Sequence, residues 1–175
     1  MRSLSGTLRM VDEAKAPMIT KIGVGAIALA IIIIVADQVI KFQFLGLNLL
    51  PGASIPFTGP VHLSMVWNTG VSFGLLRAES EIARWALSLF PFGVAAVLAW
   101  WARTADRGLI GLYLGLLIGG AIGNAIDRVR YGAVVDYLDV TRLGFPWVFN
   151  LADSAITVGI MLFLLDSFRR EAKPS

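Results

Sequence analysis

The sequence predicts an all-α polytopic membrane protein with four transmembrane helices and a small extracytoplasmic β-rich insertion. Of its 175 residues, 57% are hydrophobic, and the mean hydropathy of +0.75 is too high for a soluble domain of this size. Four apolar runs are long enough to cross a bilayer. The longest stretch between them, about residues 43–80, contains the turn-forming, β-branched and aromatic residues that are typical of short strands.

The first predicted helix follows a polar segment, residues 1–20, which we expect to be a cytoplasmic tail. Residues 22–40 are apolar until Asp37 and Gln38, and no small-residue cleavage site follows, so they predict an uncleaved signal anchor. Asp37 and Lys41 are four residues apart and therefore share one helical face. They either form an interfacial ion pair that ends the helix, with Lys41 snorkelling, or take part in catalysis.

The insertion contains a proline- and glycine-rich turn region followed by HLSMVWNTGVSFGLL, residues 62–76. β-Branched and aromatic residues on both sides of NTG predict a hairpin with Asn68 at its turn. Asn68 is therefore either a turn former or a substrate contact. His62, the single histidine, is expected at a surface or an interface.

The other three spans are predicted at residues 85–101, 109–126 and 151–168, which leaves a four-helix domain over residues 21–170 and a C-terminal tail, 171–175. Glycines in GLYLGLLIGGAIG of the third span predict close helix packing. Four spans place both termini on one side, and the excess of basic residues there predicts that this side is cytoplasmic. The basic residues on that side are Arg2, Arg9, Lys15, Lys21, Arg103, Arg107, Arg169, Arg170 and Lys173. Those on the other side are Lys41, Arg77, Arg84, Arg128, Arg130 and Arg142.

A cluster of polar residues lies where the third span ends and the fourth begins. Carboxylates inside a membrane cost about 2.5–3.5 kcal/mol each at a helix centre, so they indicate function or pairing. We therefore expect the chemistry of this protein in the cluster. Its members are Asn124, Asp127, Arg128, Asp136, Asp139, Asn150 and Asp153.

The composition excludes several kinds of chemistry at this cluster. The chain has no cysteine and one histidine, so thiolate catalysis and HExxH zinc hydrolysis are excluded. It has no serine elbow, its carboxylates follow no metal-ligand pattern, and its net charge of +3 does not indicate nucleic acid binding. A pair of aspartates that shares one proton remains, and such a pair can activate water without a cofactor.

The surroundings of each aspartate suggest which two form the pair. Arg128 follows Asp127 directly and is expected to hold it ionised in an orienting role. Asp136 has apolar neighbours, which would raise its pKa, as an acid/base group requires. Asp139 is closer to a polar turn and is expected to be solvated. Asp153 opens the fourth helix, whose dipole favours the ionised form, although Asn150 with Asp153 is also a capping pattern.

Five segments of the chain resemble motifs of bacterial lipoprotein signal peptidase, also called signal peptidase II. They are DQVIK at 37–41, NTGVSF at 68–73, GGAIGNAIDR at 119–128, VVDYLD at 134–139 and FNLADS at 149–154. The resemblance implies a multi-pass aspartyl protease of the inner membrane with a periplasmic β-rich cradle. Such an enzyme removes the signal peptide of diacylglyceryl-modified prolipoproteins just before the lipidated cysteine, and membrane lipid is its second partner.

The resemblance also assigns roles to individual residues. It places the catalytic aspartates at Asp136 and Asp153. It gives supporting or substrate-binding roles to Asp37, Lys41, Asn68, Asn124, Asp127, Arg128 and Asn150, and it implies no metal and no cofactor.

Two other classes of protein compete with this interpretation. A small transporter or proton-conducting protein would also place carboxylates among its helices, but along a path through the bilayer. A structural subunit could use the glycine-rich third span for packing, but it would not require the two Asn-x-x-Asp patterns at Asn124 and Asn150.

Overall fold

The computed structural model describes residues 19–70 and 81–171. They form four helices long and apolar enough to cross a membrane, together with a four-stranded sheet, so the predicted fold class is confirmed. The predicted tails lie mostly outside the described residues. In chain order the elements are α1 (Lys21–Leu45), β1 (Ser54–Thr58), β2 (Val61–Asn68), α2 (Glu81–Ala102), α3 (Gly108–Tyr131), β3 (Val134–Asp139), β4 (Val148–Phe149) and α4 (Leu151–Glu171).

Helix α3 is the centre of the bundle, and each of the other three helices packs chiefly against it. Its buried side chains Tyr113, Leu114 and Ile118 form the core between the helices. A Cβ added at Gly115 would lie 2.7 Å from the carbonyl oxygen of Ala26 on α1, so only glycine permits this approach. The predicted role of these glycines in close helix packing is therefore confirmed.

The sheet is antiparallel with strand order β1-β2-β3-β4. Strands β1 and β2 form a hairpin that turns at Gly59 and Pro60, and Asn68 lies at the opposite end of β2, paired with Val134. Asn68 is thus the last residue of β2, and whether a second hairpin turns there depends on the residues that follow it. The residues after Gly70, which were predicted to complete that hairpin, lie outside the described residues.

Half of the sheet comes from outside the predicted insertion, because β3 and β4 lie between α3 and α4. Gly132 ends α3 with φ at +73°, a left-handed conformation that glycine adopts without strain. The chain therefore turns from α3 into β3 within two residues. A single residue, Asn150, separates the end of β4 from α4. The sheet and the ends of α3 and α4 consequently meet in one place.

His62 is buried, with 5% of its surface exposed, so of its two predicted positions, a surface or an interface, the surface was wrong. It pairs with Asp139 across β2 and β3, and its Nδ1 lies 3.3 Å from the carbonyl oxygen of Pro60. It therefore lies between the paired strands β1 and β3, which the sequence of β2 alone does not indicate.

A separate ion-pair cluster closes the end of the bundle opposite the sheet. Asp166 on α4 is buried, accepts a hydrogen bond of 2.5 Å from Arg107, which precedes α3, and forms an ion pair of 3.0 Å with Arg170. The hydroxyl of Thr20 donates to the carbonyl oxygen of Ala105 between α2 and α3. These bonds fasten the helix ends far from the polar cluster.

Candidate active site

The two predicted catalytic aspartates are held by one residue. Asp136 lies in the middle of β3, and Asp153 lies in the first turn of α4. The side-chain nitrogen of Asn150 donates to Asp136 Oδ1 at 2.7 Å, and its backbone N–H donates to Asp153 Oδ2 at 3.3 Å. Because β4 runs alongside β3 and leads directly into Asn150, the sheet brings the two carboxylates to the same residue.

Asn150 and Asp153 also form the helix cap that their spacing predicts. The backbone N–H of Asp153 donates to Asn150 Oδ1 at 2.9 Å, which makes the capping reciprocal. The hydroxyl of Ser154 donates to the Asn150 carbonyl oxygen at 3.0 Å. The capping interpretation and the catalytic one therefore apply to the same two residues, because the cap fixes the position of the Asp153 carboxylate.

Asp136 is the more enclosed of the two carboxylates, with 2% of its surface exposed. Burial, and then the charge of Asp153, raise the pKa of Asp136 to about 7. Hydrogen bonds from Asn150 and from Asn68 Nδ2, which lies 3.1 Å from Asp136 Oδ2, act in the opposite direction but do not offset the burial. A carboxyl group with this pKa carries its proton in a large share of molecules near neutral pH.

The Asp153 carboxylate receives its shortest hydrogen bond from Asn124. Asn124 Nδ2 lies 2.7 Å from Asp153 Oδ1, while Asn124 Oδ1 accepts from Lys41 at 3.2 Å and from Asn150 at 3.1 Å. These two donors fix the orientation of the Asn124 carboxamide, so its nitrogen points to Asp153. In both aspartates the 2.7 Å bond from a carboxamide falls on Oδ1, which leaves Oδ2 as the more weakly bonded oxygen.

Lys41 forms a buried ion-pair network beneath these residues. Its Nζ lies 2.7 Å from Asp37 Oδ2 and 2.8 Å from Asp127 Oδ2, and the exposed fraction of each of the three side chains is 3% or less. The predicted pairing of Asp37 with Lys41 therefore occurs, but inside the bundle. Lys41 does not snorkel to the interface.

Arg128 is not the partner of Asp127, contrary to the expectation from their adjacency. Adjacent residues on a helix do not face each other. Arg128 Nη2 donates instead to the carbonyl oxygen of Gly70, at 3.1 Å, and so joins α3 to the end of the β2 segment. The cation that neutralises Asp127 comes from α1, a contact that adjacency in the sequence does not reveal.

Asp127 and Asp37 also bind the backbone next to each of the two predicted catalytic aspartates. Asp127 Oδ2 accepts the N–H of Val135, which precedes Asp136, at 3.1 Å. Asp37 Oδ1 accepts the N–H of Ala152, which precedes Asp153, at 3.0 Å. Each of these buried carboxylates therefore fixes the element that carries one member of the pair.

Asp139 is separated from this network. It lies at the far end of β3, where it accepts hydrogen bonds from the hydroxyls of Ser64 at 2.5 Å and Thr141 at 2.6 Å. The bond from Ser64, followed by that from Thr141, lowers the pKa of Asp139 below its usual value. Asp139 is thus held ionised and has none of the surroundings of an acid/base group.

Two further polar residues take part that the sequence analysis did not assign to the site. Gln38 Nε2 donates to Asp127 Oδ1 at 3.0 Å, and the hydroxyl of Tyr137 accepts the N–H of Leu151 at 3.3 Å. A signal for Gln38 was present, because it is a polar residue within an apolar run. Tyr137 carried no such signal, since an aromatic residue in a strand usually packs in the core.

This arrangement suits hydrolysis by a pair of carboxyl groups. One group that holds a proton near pH 7 lies beside a second that accepts hydrogen bonds from a carboxamide and a backbone N–H. Such a pair can take a proton from water and donate one to a carbonyl oxygen. Within residues 19–70 and 81–171, no three His, Asp or Glu side chains are grouped as a metal site requires.

The sequence and the fold identify the family. Residues 29–169 match the family described as Signal peptidase (SPase) II. The chain belongs to this family. A relative from Caulobacter vibrioides, named lipoprotein signal peptidase, is 55% identical over 155 residues, which are 87% of this chain and 92% of the relative. One of the same name from Methylobacterium radiotolerans is 40% identical, over 85% of this chain and 88% of the relative.

Two solved structures agree with this membership of the signal peptidase II family. A bacterial membrane enzyme superposes with a TM-score of 0.77 at 24% identity, over 91% of this chain and 96% of that one, which shows the fold. A second structure described in the same words gives a TM-score of 0.70 at 25% identity, over 86% and 96%. The resemblance found in the sequence is confirmed, and this signal peptidase II family member is a hydrolase and a multi-pass protein of the inner membrane.

Proposed function

We propose that the protein is an aspartyl endopeptidase that removes the signal peptide from diacylglyceryl-modified prolipoproteins. The cut falls at the bond before the lipidated cysteine, and Asp136 and Asp153 are the catalytic pair. The observation that carries this proposal is that Asn150 donates hydrogen bonds to both carboxylates, together with the raised pKa of Asp136. Membership of the signal peptidase II family and the names of the relatives support the substrate.

In the proposed reaction, Asp153 acts as the base and Asp136 as the acid. Asp153 takes a proton from water as the water oxygen attacks the scissile carbonyl carbon. Asp136 donates its proton to the carbonyl oxygen. The tetrahedral intermediate then collapses as Asp153 passes the proton taken from water to the leaving nitrogen, and Asp136 recovers a proton from the hydroxyl of the intermediate. The Oδ2 atoms are the reacting oxygens, because the short bonds from Asn124 and Asn150 engage Oδ1. The dipole at the start of α4 favours negative charge on Asp153.

The supporting residues keep this pair in place. Lys41, Asp37 and Asp127 form the buried base of the site, and Asn68, Asn124 and Asn150 supply the hydrogen bonds that orient the two carboxyl groups. Arg128 holds the chain after β2 near the site through Gly70. We assign the peptidase domain to residues 21–170, with tails at residues 1–20 and 171–175.

The position of the site at one end of the bundle supports lipid as a second partner. The reacting groups lie where α3 ends and α4 begins, so the diacylglyceryl group of the substrate can remain in the bilayer during cleavage. Each buried CH₂ contributes about 0.8 kcal/mol to that attachment. The bias of basic residues supports an extracytoplasmic position for this end and a cytoplasmic position for both termini.

A transport function is less well supported. On α4, the residues between Asp153 and Asp166 contain no ionisable side chain. This gap extends about 20 Å along the helix, which leaves no carboxylate path through the bilayer on that helix.

The proposal is tested with purified protein in lipid nanodiscs and two prolipoprotein substrates that differ only in the diacylglyceryl group. We expect cleavage before the cysteine of the lipidated substrate and at most trace cleavage of the other. Activity should persist with strong chelators and serine-directed reagents. Equal turnover of both substrates would contradict the substrate assignment, and loss on chelation that added metal restores would contradict the aspartyl mechanism.

A further inference from the structure

Gln38 is a half-buried side chain on α1 that has no role in the proposed reaction so far. Its Nε2 lies 3.0 Å from Asp127 Oδ1, 3.2 Å from the carbonyl oxygen of Gly123 and 3.3 Å from Asp37 Oδ2. Two of these three acceptors belong to α3. Gln38 therefore joins α1 to α3 at the level of the catalytic pair.

Gly123 provides the space for this contact. A Cβ added there would lie 2.9 Å from Asp37 Oδ2 and 3.3 Å from the Cβ of Ala152. The Asp37 carboxylate thus lies directly against the backbone of α3, and its Oδ1 accepts the N–H of Ala152. Gln38 uses the same gap to reach the Gly123 carbonyl oxygen.

The contact fixes the orientation of Asp127. Gln38 bonds its Oδ1, whereas Lys41 and the N–H of Val135 bond its Oδ2. With both oxygens engaged, the carboxylate cannot rotate without breaking a hydrogen bond. The bond to Val135 in turn sets the position of β3 immediately before Asp136.

We propose that Gln38 is a positioning residue for the reaction, which acts through Asp127 and Val135 on Asp136. This inference rests on the proposed function. An amide is suited to the task because it donates to a carboxylate at every pH, whereas a glutamic acid of similar shape donates only while it is protonated. The titratable groups around Gln38 are Asp37 and Lys41 on α1 and Asp127 on α3. Asp136 on β3 follows Val135, which bonds to Asp127, and Asp153 on α4 is reached from Lys41 through Asn124.

The test compares Gln38→Met and Gln38→Glu with the same two substitutions at Gln43, an exposed glutamine on the same helix. Gln38→Met should lower kcat about ten-fold, as a misplaced catalytic group does, with KM within about two-fold of the wild type. Gln38→Glu should approach wild-type kcat at low pH and lose activity as the pH rises, because the new carboxyl group then repels Asp127. The Gln43 variants should match the wild type throughout.

A second measurement does not depend on turnover. Backbone amide exchange in the segment 134–139 should be faster in Gln38→Met than in the wild type, because the bond from Val135 loses its fixed acceptor, while exchange in α2 stays the same. If the wild type cleaves prolipoprotein but the Gln38 variants match the Gln43 variants in kcat, pH profile and exchange, the positioning role is wrong. If the wild type cleaves nothing, the proposed function fails, and the exchange measurement still decides whether Gln38 holds β3. A loss confined to KM would also overturn the inference.

Discussion

Lys41 Nζ lies 2.8 Å from Asp127 Oδ2, an ion pair between α1 and α3 with both side chains almost completely buried. The same ammonium group binds Asp37 at 2.7 Å and Asn124 at 3.2 Å, so all three of its N–H donors have an acceptor. One cation therefore stabilises two buried carboxylates and orients the carboxamide that binds Asp153. Its removal should affect folding as well as activity.

Lys41→Met should destabilise the protein by about 3–5 kcal/mol, because Asp37 and Asp127 would remain buried without a cation. The measurement is the denaturant midpoint of unfolding in detergent. Lys21→Met is the matched control, since Lys21 is exposed at the other end of the same helix, and it should change stability by less than about 0.5 kcal/mol. A Lys41→Met protein as stable as the control would show that the network does not hold the bundle together.

Asp136→Asn and Asp153→Asn should each lower kcat at least about 10³-fold, while the folded variants still bind substrate. The double variant should be scarcely less active than either single one, because the two groups act together. Turnover at matched expression measures this. Asp139→Asn is the control and should keep most activity, since Ser64 and Thr141 hold Asp139 away from the pair. Robust cleavage by Asp136→Asn together with an inactive Asp139→Asn would identify Asp139 as the catalytic residue.

The activity should decline on the alkaline side with a midpoint near the pKa of Asp136, about 7. Below that pH, Asp136 retains the proton that it donates, and above it both carboxyl groups are ionised, so kcat/KM should fall as the pH rises. Asn68→Ala removes a hydrogen bond that favours the charged form, which should raise the pKa of Asp136 and shift the alkaline limb to higher pH. The pH–rate profiles of the two proteins provide the measurement. An alkaline limb that stays in place or shifts to lower pH would contradict Asp136 as the acid.

Local patterns in the sequence predicted the parts of this structure that depend on neighbours in the chain. Apolar runs predicted the four helices, and spacing predicted both the Asp37–Lys41 pair and the cap at Asn150 and Asp153. The pairing of Lys41 with Asp127 was missed because it depends on how α1 packs against α3. The sequence suggested Arg128 instead, but the geometry of a helix directs that side chain elsewhere.

In the sheet, too, the sequence did not predict contacts between distant parts of the chain. The β-branched and aromatic residues of β2 predicted a strand, but its partners, β1 and β3, depend on contacts with other parts of the chain. β3 was missed as a strand because it is buried on both faces and reads as a short apolar run interrupted by aspartates. The burial of His62 was missed for the same reason, because β3, whose Asp139 pairs with it, is distant in the sequence.

Both termini should lie in the cytoplasm, and the sheet should lie on the opposite side of the membrane. Reporter fusions after Ser175 and within residues 52–60 test this, because each reporter is active on only one side. The physical basis is the excess of lysine and arginine at the helix ends opposite the sheet. An extracytoplasmic reporter signal from the fusion after Ser175 would require the opposite orientation.

The division of the sheet between two parts of the chain has a consequence for the biogenesis of the protein. Strands β1 and β2 leave the ribosome before α2 and α3, whereas β3, β4 and α4 follow them. Asn68 can therefore bond to Asp136 only after the third helix has been inserted. Asp136 and Asp153 can come together only after the last helix has emerged. A nascent or truncated chain that lacks α4 cannot assemble the proposed pair, so the activity proposed for that pair should arise only when membrane integration is complete.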